Sequence, residues 1–268
     1  MNDLKQNMER TLKKTRLYKH IKYYKAGKKL LNNSTYRAVQ EKTKNEIEKK
    51  ISRTEIINFL LSQFNGETNY LEIGVRNPDH NFSKINSKIK YSVDPGIESD
   101  LNPADFKMTS DVFFSNLDRN KILSNDIRFD VIFVDGLHLA EQVHKDIINA
   151  LKYLKEDGFI VLHDCNPPTE WHAREDYNYR ETPAKGYWNG TTWKAFLKYR
   201  FDNPIKSCCI DTDWGVGIIS KKYPIGKEIN SQNMFFEYAT FNENRTDMLN
   251  LIPFTDFKKK ISKTIHNA

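Results

Sequence analysis

The chain has 268 residues, with 42 Lys/Arg against 35 Asp/Glu for a formal net charge of +7, and 38% of its residues are hydrophobic. That length suits one large domain, or one domain with a substantial appendage. No run of about 18 uncharged apolar residues occurs, which excludes a membrane-spanning helix. Three cysteines, Cys165, Cys208 and Cys209, are an odd number with two adjacent, a poor basis for a disulfide framework.

The positive charge is local. Residues 1–52 hold 15 Lys/Arg and 5 Asp/Glu, a net +10, leaving 27 against 30 for the remainder. A basic helical arm over 1–53 therefore precedes a slightly acidic body, which weakens any reading in which the body grips a polyanion. The opening MNDLKQNMERTLKKTR lacks the apolar core of a secretory signal, so a reducing, cytoplasmic setting is expected.

Within the arm, residues 4–32 carry apolar positions at roughly helical spacing, including Leu12, Leu17, Ile21, Tyr24 and Leu30–Leu31. Ser34 is a candidate cap for a second polar helix over about 35–50. TEIINFLLSQF (54–64) has a capping residue and an apolar face and leads into the main domain.

Strands and helices then alternate. NYLEIGV (69–75) and KYSVDPG (90–96) read as strands, and a weaker third lies near Phe106–Met108. A helix from Ser110 to Leu117 follows. FDVIFVD (129–135) is the fourth strand, 138–154 a helix, and GFIVLHD (158–164) the fifth strand. A helix at 191–200 leads to IKSCCID (205–211) and WGVGIIS (214–220), joined by Thr212-Asp213 as a tight antiparallel hairpin. The expected domain runs over 54–225. Residues 226–268 form a C-terminal extension, part helix and part extended, of undefined role.

Alternation with near-continuous apolar strands means a mostly parallel sheet covered on both faces. Ligands bind such sheets beyond the carboxyl ends of the strands. Here those ends carry Glu72-Ile-Gly74, Asp94, Asp135-Gly-Leu-His138 and His163-Asp164, all directed at one crevice. Gly74 would let a ligand approach the backbone, although an ordinary strand-to-helix turn explains it equally. The glycine-rich pyrophosphate cradle is absent from EIGVRNPDHN, which disfavours a nicotinamide dehydrogenase. Asp94, 20 residues beyond Gly74, can accept both hydroxyls of a ribose.

In order, YLEIGV, YSVDPG, MTSDVFF (108–114), FDVIFVDGLH and GFIVLHDCNPP resemble the class I S-adenosylmethionine-dependent methyltransferases. The closest likeness is to the small-molecule O-methyltransferase branch acting on sugars of bacterial surface polysaccharides and natural products. The resemblance covers about 55–220 and implies a Rossmann-like seven-stranded sheet whose last pair is an antiparallel hairpin. It implies that Glu72 and Gly74 line the methionine and sugar portion of the cofactor, that Asp94 holds its ribose, and that Thr109, Ser110 and Asp111 lie beside its adenine. Asp135 and Glu72 suit a sulfonium cation.

Under the same resemblance, Asp135 and His138 face the transferable methyl group. A histidine with a pKa near 6.5 can take a hydroxyl proton at neutral pH, with Asp135 orienting it. The plainer reading leaves His138 as a solvated rim residue. His163 is a second candidate base or a substrate contact. Related metal-dependent enzymes carry an acid at the Asp135 position and an Asp-Asn or Asp-Asp pair after the next strand. Here that pair is Asp164-Cys165, so Mg2+ or another divalent cation on Asp135 and Asp164 lacks an identifiable third ligand.

The polar, aromatic insertion over 167–196 is long enough to be functional. Trp171, Trp188 and Trp193 could wall a sugar ring, with Arg174 and Arg180 taking a phosphate. Alternatively the tryptophans close the end of the sheet. Asp213 could reach the crevice, though turn chemistry accounts for it. The basic arm reads first as a solvated homodimerisation helix, next as a peripheral contact with an anionic membrane, and last as an RNA-binding element, since no RNA-recognition module accompanies it. The expectation is a methyltransferase for a sugar or nucleotide-sugar hydroxyl, with no nucleic acid as partner. An RNA-modifying methyltransferase guided by the arm and a non-catalytic scaffold are the alternatives.

Overall fold

The computed structural model describes residues 13, 15–98 and 101–266. The part of the expected first helix over 4–12 lies outside the described residues. Helix α1 spans Arg16–Leu31, with Thr15 as its cap, and buries none of its residues. Helix α2 (Ser34–Ile47) is capped by Asn33, so Ser34 is its first residue rather than its cap. α2 is tied to the body: Thr43 Oγ1 meets His172 Nε2 at 3.1 Å, and Lys42 reaches the Pro168 carbonyl.

Helix α3 (Arg53–Leu61) starts one residue before the expected boundary. Ser52 and Glu55 form a reciprocal capping box there, satisfying the first free amides. Its Ile56, Ile57, Leu60 and Leu61 are buried against the sheet.

The strands are β1 (Asn69–Ile73), β2 (Ile89–Val93), β3 (Phe129–Val134), β4 (Leu154–Leu162), β5 (Ser207–Ile210), β6 (Val216–Ser220) and β7 (Leu251–Ile252). Their order is β2-β1-β3-β4-β6-β5-β7. β1 to β4 pair in parallel, and β6 runs antiparallel to both β4 and β5. The expected α/β architecture with its antiparallel hairpin is present. One strand comes from elsewhere, however. Phe106 makes only an isolated bridge to Val93, and the seventh strand is β7, pairing in parallel with β5. The C-terminal segment thus completes the sheet, adding α7 (Tyr238–Leu249) and α8 (Phe254–His266). The hairpin turn is also longer than two residues, since Asp211–Gly215 separate the paired strands.

Strand alternation divides the core into two layers. Ile132, Val134, Ile160 and Leu162 face α4 (Ser110–Asp118), α5 (Ala140–Tyr153), α6 (Thr192–Asp202) and α7. Val131, Phe133, Phe159 and Val161 face α3 and α8. Every residue of β3, β5 and β6 is buried, as a central strand covered on both faces requires. Cys165, Cys208 and Cys209 are free buried thiols.

Candidate active site at the carboxyl rim of the sheet

The carboxyl ends of β1 to β4 open onto one cavity of about 630 Å³. Glu72, Gly74, Asp94, Thr109, Ser110, Asp111, Asp135, His138, His163 and Asp164 all line it, as do Trp188 and Tyr177 from the insertion. This volume falls in the range of pockets that enclose a small molecule.

One end of the cavity carries the residues expected to hold a cofactor. Gly74 adopts φ +93°, and a Cβ there would lie 2.2 Å from the Asp135 carbonyl oxygen. The close approach it permits is therefore between the β1 and β3 loops. Asp94 is fixed by backbone, accepting from Val75 N–H at 2.9 Å and Gly96 N–H at 2.6 Å. Thr109 caps α4, and Gln142 of α5 bridges Ser110 Oγ and Asp111 Oδ1 at 3.2 and 3.1 Å. Glu72 is buried, accepting from Tyr70 Oη at 2.6 Å and Asn81 Nδ2 at 2.8 Å. Burial pushes its carboxyl up to about 7, against the pull of those two donors.

At the other end an acid–imidazole cluster forms. His138 Nε2 lies 3.3 Å from Asp135 Oδ1, and its Nδ1 lies 3.0 Å from Asp164 Oδ2. His163 Nδ1 approaches Asp135 Oδ1 at 3.1 Å and Asp164 Oδ2 at 3.2 Å. Its Nε2 meets Arg53 Nη1 at 2.9 Å and Asp213 Oδ1 at 3.2 Å. Both histidines thus have each ring nitrogen beside a partner, and they differ in access: the His163 side chain is only 8% exposed. The His138 side chain retains 20% exposure and faces the cavity.

Burial works against charge on Asp135, yet His163, His138 and Arg53 outweigh it and hold the carboxyl well below its usual range. Burial likewise opposes protonation of His138, but Asp164 and Asp135 win and raise its pKa. Asp213 is held at about 2, because His163 and Arg53 overcome its desolvation.

Two residues not singled out from the sequence complete the cluster, and a third lies at the other end of the cavity. Arg53, at the first turn of α3, contacts Asp213 at 3.3 Å and Asp135 at 3.8 Å. Asn189 is fully buried and donates to Asp164 Oδ1 at 2.7 Å. Asp146 of α5 lines the cavity beside Ser110 and Gln142, its carboxyl pushed up to about 6 by burial. An acid between the apolar positions Val143 and Ile147 was the one local signal for Asp146. Asp213 does not line the cavity; it pairs with Arg53 and His163 behind the rim and turns the hairpin at φ +45°.

Five residues were expected to contact the acceptor, and they separate, Trp171 being absent from the cavity lining. Trp188 stacks on His138 with ring centroids 5.1 Å apart and borders the cavity. Trp193 does not reach it: the side chain is 1% exposed and stacks on Phe241 at 4.4 Å, because α6 turns it into the core. Arg174 donates to the carbonyls of Trp171, Tyr187 and Lys185, so it braces the insertion rather than offering a phosphate site. Arg180 lies over the Tyr177 ring at 4.6 Å and is not among the residues that line the cavity.

Asp135, His138 and Asp164 offer ligand atoms within 4.8 Å of one another. His138 thus offers the third ligand atom that the sequence pattern lacked. The donor set suits a hard divalent ion. Burial opposes a charge on His163, but Asp164 and Asp135 raise its pKa well above the usual value, so Arg53 and the His163 imidazolium offset two of the acids Asp135, Asp164 and Asp213 and leave one negative charge while His138 is neutral.

Among solved structures, the chain is similar to an O-methyltransferase from Bacillus cereus in complex with SAH, at 15% identity over 71% of this chain and 92% of that one, TM-score 0.40. It is similar to the O-methyltransferase TomG from Streptomyces achromogenes, involved in tomaymycin synthesis, in complex with SAM, at 12% identity over 75% and 96%, TM-score 0.38. A third is the MycE methyltransferase of the mycinamycin biosynthetic pathway in complex with Mg, SAH and mycinamycin VI, at 15% over 68% and 54%, TM-score 0.40. No curated protein matches. Residues 78–165, holding Asp94, Thr109–Asp111, Asp135, His138, His163 and Asp164, match the family described as a methyltransferase domain.

Proposed function

We propose that the protein is an S-adenosylmethionine-dependent O-methyltransferase whose acceptor is a hydroxyl of a sugar or nucleotide-sugar, in the assembly of a bacterial surface polysaccharide. One observation carries this reading: a single cavity joins Asp94 and Gly74 to the Asp135–His138–Asp164 cluster. A ribose held at Asp94 leaves the far end of the same ligand directed at His138.

When bound, S-adenosylmethionine supplies an electrophilic methyl group on a sulfonium. The chain's residues do the rest. Asp135, held ionised by His163, His138 and Arg53, and Glu72, half-ionised near pH 7, set a negative potential suited to a cation. His138 takes the hydroxyl proton as the oxygen attacks, and Asp135 and Asp164 stabilise the imidazolium. His163, locked by Arg53 and Asp213, positions Asp135 rather than receiving the proton. Trp188 and Tyr177 offer apolar faces for a sugar ring beside the reacting hydroxyl. Holding the two reactants in line can lower the barrier by about 7–11 kcal/mol.

A divalent cation on Asp135, Asp164 and His138 would polarise the hydroxyl oxygen and lower its pKa. In that case His138 is a ligand and cannot be the base, so the two roles exclude each other. The test is incubation with labelled S-adenosylmethionine and a panel of nucleotide-sugars, with and without chelator. Transfer to a sugar hydroxyl supports the reading. Transfer that survives chelation assigns His138 as base, and transfer that chelation abolishes assigns it as ligand. Labelling of RNA instead of every sugar would overturn the acceptor class.

A further inference from the structure

Among the described α-helices, α1 is the one with no buried residue, although it carries large apolar side chains. At 100° per residue, Leu17, Ile21, Tyr24 and Leu31 share a sector of about 80°. They are 65%, 43%, 71% and 56% exposed. Lys22, Lys25 and Lys29 line one flank of that sector. Lys28 lies within it, where its stem can follow the apolar row while the ammonium reaches outward. From Arg16 to Leu31 there are six Lys/Arg and no Asp/Glu.

We infer that α1 is a docking helix for an anionic lipid surface, lying in the interface plane with its apolar row toward the acyl chains. The pairing of features selects this partner. A nucleic acid would neutralise the lysines but offers nothing to Leu17, Ile21 and Leu31. The same helix from a second copy would cover the apolar row, yet it would set six cations against six. An anionic bilayer supplies both an apolar layer and a negative surface. No helix among the described residues is long and apolar enough to cross a membrane, so α1 lies on the surface.

The attachment also reaches the body. After Asn32 and Asn33, helix α2 is fixed to the insertion through Thr43–His172 and Lys42–Pro168. A lipid-bound α1 therefore holds the main domain beside the membrane. The inference is independent of the chemistry at the rim.

Co-sedimentation of the full chain with vesicles tests it, using phosphatidylcholine alone and phosphatidylcholine mixed with phosphatidylglycerol. Binding to the anionic vesicles should be at least about tenfold tighter and should weaken as salt screens the lysines. The Leu17→Ser/Ile21→Ser/Leu31→Ser and Lys22→Glu/Lys25→Glu/Lys29→Glu variants should each lose it. These side chains are exposed, so both variants should keep the wild-type circular dichroism and melting temperature. Absent or equal binding to the two vesicle types overturns the inference, as does undiminished binding by either variant. Self-association or RNA binding through α1 without vesicle binding overturns it in favour of that partner.

Discussion

Asn189 Nδ2 donates to Asp164 Oδ1 at 2.7 Å, with both residues buried, so the insertion and the end of β4 share one polar contact at the heart of the site. Asp164 adopts φ +61°, a conformation costing a residue with a side chain on the order of 1 kcal/mol. Neighbouring insertion residues reinforce the clasp. Trp188 covers His138, and Thr191 takes the His138 carbonyl on its N–H while its Oγ1 accepts from Ala140. At Gly190, φ +60°, a Cβ would meet the His138 carbonyl oxygen at 2.1 Å. Asn189→Ala strips Asp164 of this donor in a buried place. It should lower stability by about 1–3 kcal/mol in denaturant unfolding. Methyl transfer should fall further than cofactor affinity, because Asp164 borders His138, the proposed base. Unchanged stability and turnover would show that the clasp is idle.

His138→Ala should reduce turnover by about 10²-fold or more while the dissociation constant for S-adenosylmethionine changes little. Single-turnover labelling and calorimetry separate the two quantities. Near-normal turnover would remove His138 from the proton transfer.

Arg53 is the cation that offsets Asp135, Asp213 and Asp164, and its pKa is raised because those acids outweigh its burial. Arg53→Met leaves the acids uncompensated. Breaking a buried pair costs about 3–5 kcal/mol, which the 21% exposure of this side chain reduces to about 2 kcal/mol. Millimolar Mg2+ should then raise the melting temperature of the variant more than that of the parent. Equal shifts would contradict the charge balance described for the cluster.

The buried carboxyls set opposing pH dependences. Glu72 is raised from 4.5 to about 7, so the folded state holds an extra proton between those values. Its contribution is most favourable at acidic pH and declines as pH rises through 7. Asp146, raised from 3.8 to about 6, acts in the same direction. Asp213 is held at about 2, so its contribution is present above 3.8 and is lost as pH falls toward 2. Glu72→Gln keeps an acceptor for Tyr70 and Asn81 but cannot ionise. Its stability should be flatter than the parent's from about pH 5 to 8, with a gain of about 2–3 kcal/mol at the alkaline end. A parallel pair of profiles would contradict the raised Glu72.

The parts of the molecule that were legible in advance share a physical cause. Period-two burial and unbroken apolar runs identify β1, β3 and β4 from local composition alone, and their carboxyl ends then follow. Every cofactor-end residue expected from the sequence borders the cavity. Elsewhere the deciding contacts span long stretches of chain. Arg53 and Asp213 are 160 residues apart, and Asn189 and Asp164 are 25 apart. Trp188 and Trp193 looked alike in sequence, yet one caps a site and the other fills the space between α6 and α7. Trp193→Ala should therefore cost about 3–5 kcal/mol as a core deletion. β7 escaped notice because two residues, Leu251 and Ile252, make too short a pattern to read.

Calorimetric titration of the pure, folded chain with S-adenosylmethionine and its demethylated product is the most direct measurement. Saturable uptake at one site per chain is predicted for both ligands, weakened about tenfold or more by Asp94→Ala, which removes a charged hydrogen-bond acceptor at the ribose. No uptake of either ligand by folded protein would contradict a cofactor site at this rim.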